Sequence, residues 1–167
     1  MRRGQKVPSG SPRCRFHPHH ALMGAVEEAV VSAFMSAWGD GTQAEPDVDT
    51  ILSMFAEDAV WQLWVPGGPI LHGRDAIEAD IWRQLGFATH MRCGPIAMVS
   101  NDRQVFTERL DAFTSHGVRI DHHLVAVFDI SEDGRIAAWR EYFDPEDVNR
   151  QLRAARANSA PEDGRSS

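Results

Sequence analysis

The chain has 167 residues, 43% of them hydrophobic, which is the size of one ordinary domain with enough apolar side chains to bury a core. Its formal net charge is −7, and because the charged residues before position 21 are all basic (Arg2, Arg3, Lys6, Arg13, Arg15), the remainder is acidic and would repel phosphates, which argues against nucleic-acid binding. No apolar run approaches the roughly 18 to 20 residues of a bilayer span, no secretory signal opens the chain, and Cys14 and Cys93 have no ligand-like spacing, so a cytoplasmic protein without disulfide or metal is expected.

Residues 1–20 mix Arg, Pro, Gly and Ser without hydrophobic period and are expected to form a leader that does not order, their His17, His19 and His20 being an incidental cluster. Leu22, Val26, Ala29, Val30, Ala33, Phe34 and Ala37 then recur at three- and four-residue intervals, predicting an amphipathic helix that ends near Gly39. A shorter helix follows, with Val48, Ile51, Leu52 and Phe55 on its face. Residues 59–65 read as a strand stopped by Pro66-Gly67-Gly68-Pro69, and a third helix runs over 74–85.

From residue 90 the period becomes two. Strands are predicted over 91–99, 104–114, 119–130 and 135–142, joined by turns at Asn101-Asp102, His116-Gly117 and Glu132-Asp133-Gly134. Pro145 suits the first turn of a last helix carrying Val148 and Leu152, and residues 158–167 form a polar tail. The result is a single domain over 21–157 of the α+β class. Five strands make a curved, mixed or antiparallel sheet around an apolar pocket, with three to four helices on one side, like the cone of nuclear-transport-factor-2-like (NTF2-like) folds.

Side chains alternate along a strand, so Val105, Thr107, Arg109, Asp111 and Phe113 share one face, and Ala137, Trp139, Glu141 and Phe143 share another. If both faces look into the cone, Asp111, Arg109 and Glu141 converge. An arginine between two carboxylates allows one acid to stay protonated as a donor while the other, held ionised, serves as base. A buried structural ion-pair network is the alternative.

Thr107-Glu108-Arg109-Leu110-Asp111, Val127-Phe128, Gly134-Arg135-Ile136 and Trp139-Arg140-Glu141-Tyr142-Phe143-Asp144, with Phe55-Ala56-Glu57-Asp58 and Gly73-Arg74-Asp75-Ala76 before them, resemble the limonene-1,2-epoxide hydrolase family of the SnoaL-like superfamily over roughly residues 25 to 150. The resemblance implies one-step epoxide opening without a covalent intermediate or cofactor: Asp111 is the general acid, Arg109 the bridge and Glu141, an aspartate in the family, the base. It also implies a homodimer packed through the outer sheet face, acting on a small apolar epoxide.

The chain departs from the family on its first strand, where Trp61 and Leu63 stand in place of the tyrosine and asparagine that hold the attacking water. Leu63 cannot hydrogen-bond, and an indole only donates. His122 shares a face with Ile120, Leu124, Ala126 and Phe128, and either takes over that positioning or is a core histidine. Trp61, Leu63, Phe113, His122, Leu124 and Phe143 are therefore the candidate substrate-binding residues, and Trp64, Trp82 and Phe87 are aromatics near the pocket or in the core. An epoxide-opening cyclase, another isomerase or cyclase of the same cone, and a non-catalytic small-molecule-binding protein remain as alternatives.

Overall fold

The computed structural model describes residues 20–159, with side chains from residue 24 onward. The elements are α1 (His20–Trp38), α2 (Val48–Ser53), β1 (Phe55–Gln62), β2 (Ile70–His72), α3 (Arg74–Leu85), β3 (Thr89–Arg92), β4 (Pro95–Ser100), β5 (Gln104–Ser115), β6 (Val118–Ile130), β7 (Ile136–Tyr142) and α4 (Pro145–Ser159). The expected leader and polar tail lie outside the described residues, apart from the helical ends at His20 and Ser159.

Four helices cover one seven-stranded mixed sheet of order β2-β1-β7-β6-β5-β3, with β4 also paired to β5. The five strands expected become seven for two reasons. Ile70–His72 adds a short edge strand to β1, too brief to show a period. The run 91–99 is broken at Cys93-Gly94, so that β3 pairs with the far end of β5 and β4 with the near end. β5, β6 and β7 form the predicted antiparallel meander, but β1 runs parallel to β7 and sets Trp61 beside Trp139. The β5–β6 turn places His116 at φ 50° and Gly117 at φ 74°, the left-handed pair that a tight two-residue hairpin requires.

Two helical readings need correction. The buried stripe of α1 is Val31, Phe34, Met35 and Trp38, whereas Val26, Ala29 and Ala33 face outward. Two stripes overlap in the sequence, and the one with the larger side chains buries more apolar area. Phe55, expected on the second helix, opens β1. Asp47 caps α2 by accepting from the Thr50 N–H at 3.0 Å, and the helix stops after six residues. Phe55 is then fully buried against Phe34, with ring centroids 5.3 Å apart.

Two of the motif segments are structural. Arg74 donates from Nη2 to the Phe55 carbonyl at 2.7 Å, fastening α3 to β1. Arg140 turns away from the pocket and makes a two-pronged contact with Asp129 across β6 and β7. At the open end, Gln151 of α4 exchanges hydrogen bonds with the Asp121 backbone, which holds the helix over the pocket mouth.

Candidate active site

The site is built on three adjacent strands. Register places Thr107, Ala126 and Glu141 in one row across β5, β6 and β7, Arg109 beside Leu124 in the next, and Asp111 beside His122 in the row nearest the mouth. Ala126 is the smallest inward side chain of β6. That leaves room for the Arg109 guanidinium to cross toward β7.

Arg109 is 1% exposed, and its Nη2 bridges both carboxylates, 2.9 Å from Asp111 Oδ2 and 2.7 Å from Glu141 Oε1. Its Cζ lies 5.9 Å from the Trp139 ring centroid, over the aromatic face. Burial by itself disfavours the cation, but the two carboxylates outweigh it and keep Arg109 charged. The predicted convergence of Asp111, Arg109 and Glu141 is therefore present.

The two acids have different surroundings. Asp111 Oδ1 accepts the Gly94 N–H at 3.0 Å, and the Cys93 sulfur lies 3.8 Å from Oδ2. Glu141 accepts from Arg109 and otherwise faces an aromatic wall. Burial raises its carboxyl from the ordinary 4.5 to about 7, opposed by Arg109 and reinforced by the Asp111 charge. The indole N–H of Trp61 lowers it slightly, from a geometry too loose for a hydrogen bond. One carboxyl that holds its proton near neutrality and another beside the same cation are the arrangement that general acid–base chemistry requires.

Cys93 and Gly94 are the contacts that sequence reasoning missed. The one available signal was a glycine inside an apolar strand, which marks a break or a close approach. A Cβ on Gly94 would stand 2.3 Å from the Leu110 carbonyl oxygen, so only glycine brings this N–H to Asp111. Burial raises the Cys93 thiol pKa, with the Asp111 charge adding to it, so the sulfur is a neutral neighbour.

Above these groups lies a cavity of about 330 Å³, within the range of small-molecule sites. Trp61, Leu63, Phe113, His122 and Phe143 line it as expected, as do Trp64 and Phe87. Leu124 does not; it is buried in the core, across the strand pair from Arg109. Trp82 is half exposed on the outer side of α3. Trp61 stacks on Trp139 at 4.3 Å between centroids and 5° between planes, so the position of the family's tyrosine is filled by a flat apolar wall.

His122 sits between Phe113 and Phe143, with centroids 6.3 and 5.3 Å away, and its Nδ1 is buried without a partner among the described residues. Burial lowers its pKa, opposed by Asp111, so the ring is neutral at pH 7. No group of three or more metal-ligating side chains is assembled among the described residues, and none of their helices is long and apolar enough to cross a membrane.

A SnoaL-like domain model matches residues 31–139. The fold is similar to an LEH-like epoxide hydrolase from M. tuberculosis, at 25% identity and TM-score 0.66 over 80% of this chain and 94% of that one. It is also similar to SalBIII, an epoxide hydrolase/cyclase-like enzyme of pyran ring formation in salinomycin, at 20% identity and TM-score 0.62 over 72% of this chain and 92% of that one. PrhC from Penicillium brasilianum gives 12% identity and TM-score 0.69 over 81% and 91%. No curated protein sequence matches the chain.

Proposed function

The chain belongs to the SnoaL-like domain family, and on that premise we propose that it is an enzyme opening an epoxide on a small or medium apolar substrate by one-step general acid–base catalysis. The observation that carries this reading is the single nitrogen of Arg109 shared by two buried carboxylates at the floor of an apolar pocket. Two acids on one cation can differ in protonation while the cluster stays near neutral overall. That is the condition for pushing a proton onto the epoxide oxygen while drawing another from the nucleophile. The chemistry needs no cofactor. The reading extends to a cytoplasmic homodimer packed through the outer sheet face, where Val99, Leu110, Val125 and Tyr142 are exposed.

A second reading concerns the nucleophile. Trp61 and Leu63 are 2% and 7% exposed and stacked or packed in the wall, so they offer a water no acceptor. Their position favours a substrate that brings its own hydroxyl, closing a cyclic ether while the wall excludes competing water.

The deciding experiment is turnover of a simple apolar epoxide and of a hydroxy-epoxide in oxygen-18 water, in the wild type and in Trp61→Tyr with Leu63→Asn. Labelled diol from the wild type establishes hydrolysis. Unlabelled cyclic ether, with labelled diol only from the double variant, establishes cyclisation. A folded wild type that binds these epoxides and opens none of them defeats the enzymatic reading and leaves a binding protein.

A further inference from the structure

We propose that the two carboxylates work in the order opposite to the one implied by the limonene-1,2-epoxide hydrolase resemblance: Glu141 gives its proton to the epoxide oxygen, while Asp111, with His122 beside it, holds and deprotonates the attacking hydroxyl. The proposal rests on the epoxide-opening reading. It assigns the two ends of the site.

Each oxygen of Asp111 accepts from a group that only donates, the Gly94 N–H at Oδ1 and the Arg109 guanidinium at Oδ2, with the Cys93 thiol a weaker neighbour of Oδ2 at 3.8 Å. The Gly94 donor is fixed, because the Gly94 carbonyl accepts the Leu110 N–H at 2.8 Å and the backbone cannot turn away. Fixed donors to a carboxylate stabilise its ionised form. Glu141 has one such donor, at Oε1, and otherwise meets the indoles of Trp61 and Trp139 and the side chain of Leu63. Burial with few donors stabilises the neutral acid, in keeping with a carboxyl raised to about 7. The titratable groups on the pocket wall are Arg109, Asp111, Cys93 and His122 around the pair, with Arg83 and Arg92 beyond.

The nucleophile's place follows from the same asymmetry. A hydroxyl that must surrender its proton to a base also needs a donor to orient its lone pairs. Beside Glu141 the wall is aromatic, and its Trp61 indole N–H is directed at the Glu141 carboxyl itself. Beside Asp111, across the β5–β6 pair, neutral His122 lines the pocket; its Nδ1 is buried without a partner among the described residues, so Nε2 is the ring nitrogen left to meet a hydroxyl. His122 and Asp111 together provide one donor and one acceptor.

The step balances. Asp111 takes the O–H proton of water or of a substrate hydroxyl, and that oxygen forms the new C–O bond as the epoxide C–O bond breaks. The electron pair of the broken bond stays on the former epoxide oxygen, which receives the proton of Glu141. Asp111 ends protonated and Glu141 ionised, and return of one proton from Asp111 to Glu141 resets the pair.

Azide separates the roles, because it is an anion and needs no base. With an epoxide that the wild type opens, Asp111→Asn and Glu141→Gln are each expected to lose about 100-fold or more in rate. Azide restores ring opening, as azido alcohol, in Asp111→Asn and not in Glu141→Gln. Rescue of Glu141→Gln alone, or of neither variant, overturns the proposal. Carbon-13 NMR of the carboxyls in the full chain gives an answer that needs no substrate: the carboxyl titrating near neutrality disappears in Glu141→Gln and persists in Asp111→Asn, and the opposite result overturns the order. If no epoxide is opened, the epoxide reading fails on its own while the NMR still locates the proton. His122→Phe is expected to lower kcat more than it raises KM, with His122→Gln, which keeps a donor, recovering most of the loss. Equal losses in the two variants remove His122 from the step.

Discussion

Replacing Glu141 by glutamine removes the most perturbed carboxyl of the site while keeping its shape, and its effect on stability depends on pH in a way the structure specifies. Burial raises the folded-state pKa from 4.5 to about 7. Below pH 4.5 the group is protonated in both folded and unfolded chains. Between 4.5 and about 7 the unfolded chain has released the proton and the folded chain still holds it, so the native state binds more protons and stability falls as pH rises. At about 1.4 kcal/mol per pH unit, the gap between 4.5 and about 7 comes to about 3 kcal/mol, fully lost once both states are ionised above the folded pKa. Urea unfolding of wild type and Glu141→Gln across this window isolates Glu141 together with its coupling to Asp111 and Arg109, because titrations elsewhere in the chain are common to both proteins. The wild-type stability, taken relative to the variant, should fall by about 3 kcal/mol from pH 4.5 to 8. A difference that is flat with pH, or that rises toward alkaline pH, refutes the reasoning: it would mean that attraction to Arg109 outweighs burial.

Two further substitutions test the supports of the pair. Arg109→Ala leaves two buried carboxylates without their shared cation and should cost about 3–5 kcal/mol in chemical denaturation, with loss of turnover. A cost under about 1 kcal/mol would show that the carboxylates are solvated or neutral without it. Gly94→Ala puts a Cβ 2.3 Å from the Leu110 carbonyl oxygen, a backbone atom that cannot yield alone, and should cost about 1–3 kcal/mol while weakening the donor to Asp111. An unchanged denaturation midpoint would show that the β3–β4 bend is free to shift.

The meander and the convergence of Asp111, Arg109 and Glu141 were legible because strand alternation is a strict rule. Alternation puts 109 and 111 on one face of β5 and 139 and 141 on one face of β7, and the register of the two hairpins, pairing Thr107 with Ala126 and Ala126 with Glu141, turns both faces the same way. The helical stripe of α1 was less legible, since alanines supply a period without supplying much area, and Phe34, Met35 and Trp38 decide which side is buried. Leu124 was misplaced for a related reason. It has the correct parity for the pocket, but parity says nothing about depth, and Leu124 lies in the core cluster.

What distinguishes the two acids was not legible, because it resides in main-chain groups and in volume instead of residue type. Asp111 owes its second donor to a backbone N–H brought close by the absence of a side chain at Gly94, and a sequence displays that absence only as a break in an apolar run. Glu141 owes its raised pKa to burial, at a place walled by the stacked indoles of Trp61 and Trp139, which come together because β1 joins β7 in parallel across more than 70 residues of intervening chain. On the proposed reading, the motif residues name the groups that react, and their neighbours decide in which direction the proton moves. A family's roles transfer by position only where those neighbours transfer too, and here the wall beside Glu141 is the place where they differ.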